Sequence, residues 1–215
     1  MLTHPIVEQS PLYTRDALYG GRTEAMRLHY KARENEQIQY VYVMSLYTYI
    51  CKYFKFPIWH PIIHVGDACK NKEACLQMEG LIKCSIGPPM NFYHPVLHFR
   101  SNNKLLFCLC RSCVFERNIS GECKHLRYDQ RALTGTRVLD ELRLAVEKVY
   151  RILDIYVVYE YQITQYSRET AEGGLFVDII NTFLKLKAEA NVTVVGFEAP
   201  KTKSDIFIPL GSVKE

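Results

Sequence analysis

Two groups of residues have the types and spacing for chemistry. The first is a set of soft ligands. Cys108-x-Cys110-x₂-Cys113, then nine residues, then Cys123-x-His125 places five such donors within 18 residues. A tetrahedral Zn²⁺ site takes four Cys or His ligands held by short loops. Cys110, Cys113, Cys123 and His125 form the neatest set, with Cys108 spare and FERNISGE as the knuckle loop between them. The competing reading is five reduced side chains at the edge of a cysteine-rich strand. The chain's eight cysteines are too dispersed for a small disulfide scaffold, which points to an intracellular, reducing compartment (nucleus or cytoplasm) with thiols free or on metal.

The second group is Tyr19-Gly20-Gly21-Arg22, followed about twenty residues later by a β-branched and aromatic run, QIQYVYVM, that enters Ser45-Leu46-Tyr47. Two adjacent glycines let a backbone approach a ligand closely. Ser45 reads as a helix N-cap and LYTYICKYF as a short helix. A helix N-terminus collects unpaired N–H donors and suits an anion such as a triphosphate. An aromatic at Tyr47 can lie beneath a sugar, or can simply be a core residue.

These residues carry a resemblance. Tyr19-Gly20-Gly21, the strand at 37–44 and Ser45-Leu46-Tyr47 resemble the entry to the palm of protein-primed family B DNA polymerases, the viral, mobile-element and linear-plasmid type. The resemblance implies template-directed nucleotidyl transfer with a two-Mg²⁺ mechanism. It implies DNA contact at Tyr19, Gly20, Gly21 and Arg22, and dNTP contact at Ser45, Leu46 and Tyr47. Tyr42 stands where that family carries its metal-binding Asp, and Thr48 where it carries Pro. A phenol with a reference pKa of about 10 is a poor ligand for a hard cation. The later segments EGLIKCSIGPP, HPVLHFR, the cysteine cluster, RALTGTRVLDELRLAV and YRILDIYVVYEY are similar to the insertion after the first palm motif, which implies contact with DNA and a terminal-protein-like partner. Arg137 stands where an aromatic is usual, and Val149 where glycine is common. The resemblance covers roughly residues 19–190 and implies further metal-binding motifs that the tail does not carry.

The elements that must position these residues follow from periodicity. Residues 1–18 read as a loop or weakly ordered arm. A short helix then a strand is expected in KEACLQMEGLIKCSI, with short strands in HPVLHFR and KLLFCLC. An amphipathic helix is expected at 136–150, with Val138, Leu142, Ala145, Val146 and Val149 on one face. RILDIYVVYEYQIT reads as the clearest strand. A second helix is expected at 173–190, with Leu175, Ile179, Phe183 and Leu186 facing the core. The last 25 residues are short of helical pattern. The fold class is α+β, a partial palm of antiparallel sheet with packed helices plus a cysteine-rich insertion. The expected divisions are an arm at 1–18, a palm entry at 19–60, an insertion at 61–162, a helix towards the fingers at 163–190 and a divergent tail at 191–215.

Composition bounds the function classes. The 215 residues carry a formal charge of +4, which permits a polyanionic partner without demanding one. No apolar run reaches the ~18 residues of a membrane span, and the N-terminus does not read as a signal peptide. Three functions remain open. One is a polymerase segment that is inactive by itself. Another is a non-catalytic module binding DNA or protein. The third is a decayed reading frame.

Overall fold

The computed structural model describes residues 12–195 apart from Glu24, Met26, Met44, Ile119 and Ser120, with side chains described as far as residue 190. Glu24, the end of the expected strand at Met44, and the tail beyond residue 195 with Lys201 and Lys203 lie outside the described residues. The chain divides into two compact units. One contains the stretch up to Ile38 together with Pro57–Ile163, and the other contains Gln39–Phe56 together with the residues from Thr164 onwards.

The first unit is built on a four-stranded sheet in the order β1 (Phe56–Val65), β6 (Arg151–Thr164), β2 (Gly80–Gly87), β5 (Leu133–Val138). β2 pairs antiparallel with both of its neighbours. β1 carries Pro57 and Pro61 and lies at the sheet's edge, where a missing N–H costs no ladder bond. On β2, Ile82, Cys84 and Ile86 are fully buried at period two. Against them pack Leu139, Leu142 and Ala145 of helix α5 (Leu139–Glu147) and Cys75 of α2 (Lys72–Gln77). Asn71 caps α2, its side chain accepting from the Ala74 N–H at 3.1 Å. β6 slips register against β2 at two places, and the Lys72 ammonium donates to the Ile152 and Leu153 carbonyls beside one slip. Gly80, at φ 143°, is required where it stands, because a Cβ would come within 2.0 Å of the Tyr159 carbonyl oxygen. The α+β class with a largely antiparallel sheet is thus observed.

A separate hairpin joins β3 (His98–Ser101) to β4 (Lys104–Phe107). Its two-residue turn, Asn102-Asn103, has φ of 50° and 59°, the left-handed geometry that asparagine tolerates and that matches strand twist. Two short helices follow, α3 (Arg111–Phe115) and α4 (Tyr128–Arg131). The buried Arg131 guanidinium donates to the Pro89 and Leu109 carbonyls, tying the proline-rich loop after β2 to this region. In the second unit, α1 (Leu46–Tyr53) packs with α6 (Val177–Val195). Lys52 donates to Asn181 at 2.7 Å, and Phe56 meets Phe176 edge to face.

Several expectations are corrected. The run 37–43 forms no strand. Tyr40, Val41, Tyr42 and Val43 are all exposed, and β-propensity without a neighbouring edge to bond makes no ladder. The helix expected from Thr136 begins at Leu139, because 136–138 complete β5 opposite β2. Its buried face is therefore Leu139, Leu142 and Ala145, while Val149 is 70% exposed at φ 67°. The Tyr150 N–H bonds back to the Ala145 carbonyl across this turn, so Val149 occupies a left-handed helix-end position that favours glycine. The strand expected through KLLFCLC stops at Phe107. The second helix begins at Val177 and runs to Val195, into the tail expected to be non-helical. Its supposed core face, Leu175, Ile179, Phe183 and Leu186, is exposed.

Candidate functional site

The soft ligands converge. The ligand atoms of Cys110, Cys113, Cys123 and His125 all lie within 4.8 Å of one another. Cys110 precedes α3, and its sulfur accepts from the Cys113 N–H, which fixes the first pair. The turn after α3 closes through the Asn118 N–H to the Cys113 carbonyl at 2.9 Å. The Asn118 side chain then accepts from the Gly121 N–H and donates to the Glu122 carbonyl, which returns the chain to Cys123. Cys108 stands outside the set. Its half-buried thiol is pushed up to about 11 by burial.

The donor set fits Zn²⁺. Nδ1 of His125 lies 3.5 Å from the Cys110 sulfur, 3.5 Å from that of Cys113 and 3.8 Å from that of Cys123. Zinc–sulfur and zinc–nitrogen bond lengths in a tetrahedron require a sulfur–nitrogen separation of about 3.6 Å. Nε2 of His125 lies 3.0 Å from a Glu116 carboxylate oxygen. With its proton on Nε2, the ring presents a bare lone pair at Nδ1 to three sulfurs, an arrangement that a central cation relieves. Without a cation the thiols compete. Burial and hydrogen bonds that the Cys113 thiol donates to Cys123 and Cys110 push Cys113 up to about 12. Burial also raises Cys123, but hydrogen bonding to His125, Cys113 and Cys110 outweighs it and draws that thiol down to about 7. A dication takes all three sulfurs as thiolates.

The Tyr19 to Arg22 motif is strapped to the first unit. The Tyr19 hydroxyl donates to Glu141 at 2.6 Å, and its ring lies 4.4 Å from that of His98. Burial and the Glu141 carboxylate raise the Tyr19 pKa well above its ordinary value. Arg22 donates to the Pro95 carbonyl at 3.0 Å, and its guanidinium sits 4.6 Å over the Phe107 ring. Arg100 donates to the Leu18 carbonyl and His98 approaches the Asp16 carbonyl, completing the strap. Gly20 and Gly21 are exposed, and a Cβ on either would meet nothing within 4 Å, so their backbone faces open space. The buried Arg137 guanidinium donates to the His98 carbonyl at 2.7 Å. In the sequence Arg137 stands out only as a departure from the aromatic usual there. Its burial follows from β5, whose register sets it opposite Ile82.

The Ser45-Leu46-Tyr47 turn lies in the second unit. Ser45 occupies the N-cap position of α1 but sits at φ 58° and makes no side-chain capping bond. Tyr47 is 85% exposed on the first turn, not a core aromatic. Tyr42 is 65% exposed, with its ring 5.9 Å from that of Tyr40. Residues 39–56 contain no Asp or Glu at all. A Mg²⁺ pair asks for hard carboxylate oxygens, so this segment does not fit one.

Residues 8–194 match the family described as DNA polymerase type B, organellar and viral. The chain belongs to that family. This supports the resemblance read from Tyr19 to Tyr47, and the match runs on through residues 61–162. Neither a curated protein nor a solved structure matches the chain. Among the described residues no helix is long and apolar enough to cross a membrane.

Proposed function

We propose that this chain serves template-directed DNA synthesis as a DNA-holding part of a type B polymerase, that it does not catalyse nucleotidyl transfer by itself, and that its cysteine cluster holds one structural Zn²⁺. The observation that carries the reading is a contrast. Four soft ligands converge within 4.8 Å of one another, whereas the palm-entry segment has an exposed phenol and no carboxylate where metals are needed. Membership of the family supports DNA as the partner. Contacts from Gly20 and Gly21 to a template strand, and from Ser45, Leu46 and Tyr47 to a dNTP, belong to the same proposal. So does a terminal-protein-like partner for the insertion.

Two measurements test it. Metal analysis of the purified protein is expected to find one zinc per chain, and a value well under one removes the zinc part. Binding to a primer–template, followed by fluorescence anisotropy, is expected to weaken steeply as salt rises, because phosphate neutralisation releases counterions. Absence of binding at low salt contradicts the DNA-holding role.

A further inference from the structure

The charge of the chain is localised. Residues 98–127 contain six Lys or Arg against two Asp or Glu, which accounts for the whole +4 and leaves 21 cations against 21 carboxylates elsewhere. Of the two acids, Glu116 is held at His125. Of the cations, Arg100 is spent on the Leu18 carbonyl, while Arg111 and Arg127 are spent on Asp129. Lys104 and Arg117, like Lys124, have no such partner among the described residues. Lys104 and Arg117 line an open groove of about 1030 Å³ that runs between the β3–β4 hairpin and the Cys110–Cys123 knuckle, and Lys124 lies outside it.

No carboxylate is among the groove's lining residues, which include Asn102 and Asn118 as neutral hydrogen-bonding groups. Phe115 also lines it. Its ring meets Phe99 edge to face at 6.2 Å and the residue remains 62% exposed. An exposed aromatic beside unpaired cations, in a groove without acids, combines the two features that hold unpaired nucleotides, a stacking platform and a phosphate track. Duplex DNA keeps the faces of its bases covered and gains nothing from the ring. The turn that carries Phe115 and Arg117 is fixed by the Asn118 bond to Cys113, so the metal centre sets the groove's geometry.

We propose that the groove between the β3–β4 hairpin and the cysteine knuckle binds single-stranded DNA, with phosphates on Lys104 and Arg117 and a base stacked on Phe115. The inference rests on the DNA-holding role proposed above and assigns it a place and a strand state. The test uses the zinc-loaded full chain and fluorescence anisotropy with labelled oligothymidylate, a duplex of equal length, and polyglutamate as a protein-like polyanion.

The Lys104→Ala/Arg117→Ala variant is expected to bind oligothymidylate about tenfold more weakly. Its slope of log affinity against log salt should fall by about 1.4, two phosphates at ~0.7 each. Phe115→Ala is expected to weaken single-strand binding by about tenfold with the slope unchanged. All three side chains are exposed, so zinc content and circular dichroism should match wild type. Variants that bind oligothymidylate as wild type does overturn the groove but leave the DNA-holding role standing. Tighter binding of the duplex or of polyglutamate also overturns it. Failure of the wild type to bind any DNA removes both proposals together.

Discussion

The behaviour of single residues here depends on what burial does to their charge. Glu116 touches His125 at the nitrogen opposite the three sulfurs, so it would fix which nitrogen faces the proposed metal. Glu116→Gln is expected to weaken zinc affinity by about 10–100-fold, as loss of an outer carboxylate does; competition with a chromophoric chelator measures it, and an unchanged affinity assigns Glu116 no such role. His98 is buried, and that burial, with the nearby Arg137 charge, lowers its pKa to about 4. A depressed folded-state pKa gives stability that is present above the unfolded value of ~6.5 and is lost as pH falls towards the folded value. Stability should therefore drop between about pH 6.5 and pH 4, by at most roughly 3 kcal/mol from this residue. Glu141, raised by burial, works in the opposite direction. Urea denaturation of wild type and His98→Gln at several pH values isolates the histidine: the variant should lose less on acidification.

At the scale of elements, the sequence was most readable where one physical signal dominated. RILDIYVVYEYQIT is β6, residue for residue, and KEACLQMEGLIKCSI holds α2 and then β2 as far as Ile86, one residue short of its end. The convergence of Cys110, Cys113, Cys123 and His125 was legible because their spacing limits which side chains can meet. Elsewhere a local pattern lost to its surroundings. The aromatic run at 37–43 has strand propensity but no ladder partner among the described residues. Thr136, Arg137 and Val138 fit a helical pattern, yet the open edge of β2 takes them as strand. The α6 stripe has helical period, but periodicity does not say whether a face is covered. The strap from Tyr19 to Glu141 spans 122 positions and leaves no local trace. The difference between the two helices is measurable. Leu142→Ala on α5 should cost about 2–5 kcal/mol because it empties a closed core site. Ile179→Lys on α6 should change stability by less than about 0.5 kcal/mol, since that side chain already meets solvent. Equal losses on denaturation would contradict the assignment of one face as core and the other as exposed.

Across the whole molecule, order and chemistry separate into the two units. The first holds the hydrophobic core, the strapped Tyr19 to Arg22 segment, the cysteine centre and the basic stretch 98–127. The second holds Tyr42 and the Ser45 to Tyr47 turn, with several exposed aromatics and no carboxylate in residues 39–56. The chain belongs to a polymerase family, and the role proposed for it is to hold DNA rather than to transfer nucleotides. The most direct test is one reaction with two readouts. Purified protein is mixed with a labelled primer–template, Mg²⁺ and all four dNTPs at low salt, then followed by anisotropy and by gel. The account predicts a bound primer–template with no primer extension above background. Robust, template-dependent incorporation would contradict it, since Tyr42 would then stand in a working metal site.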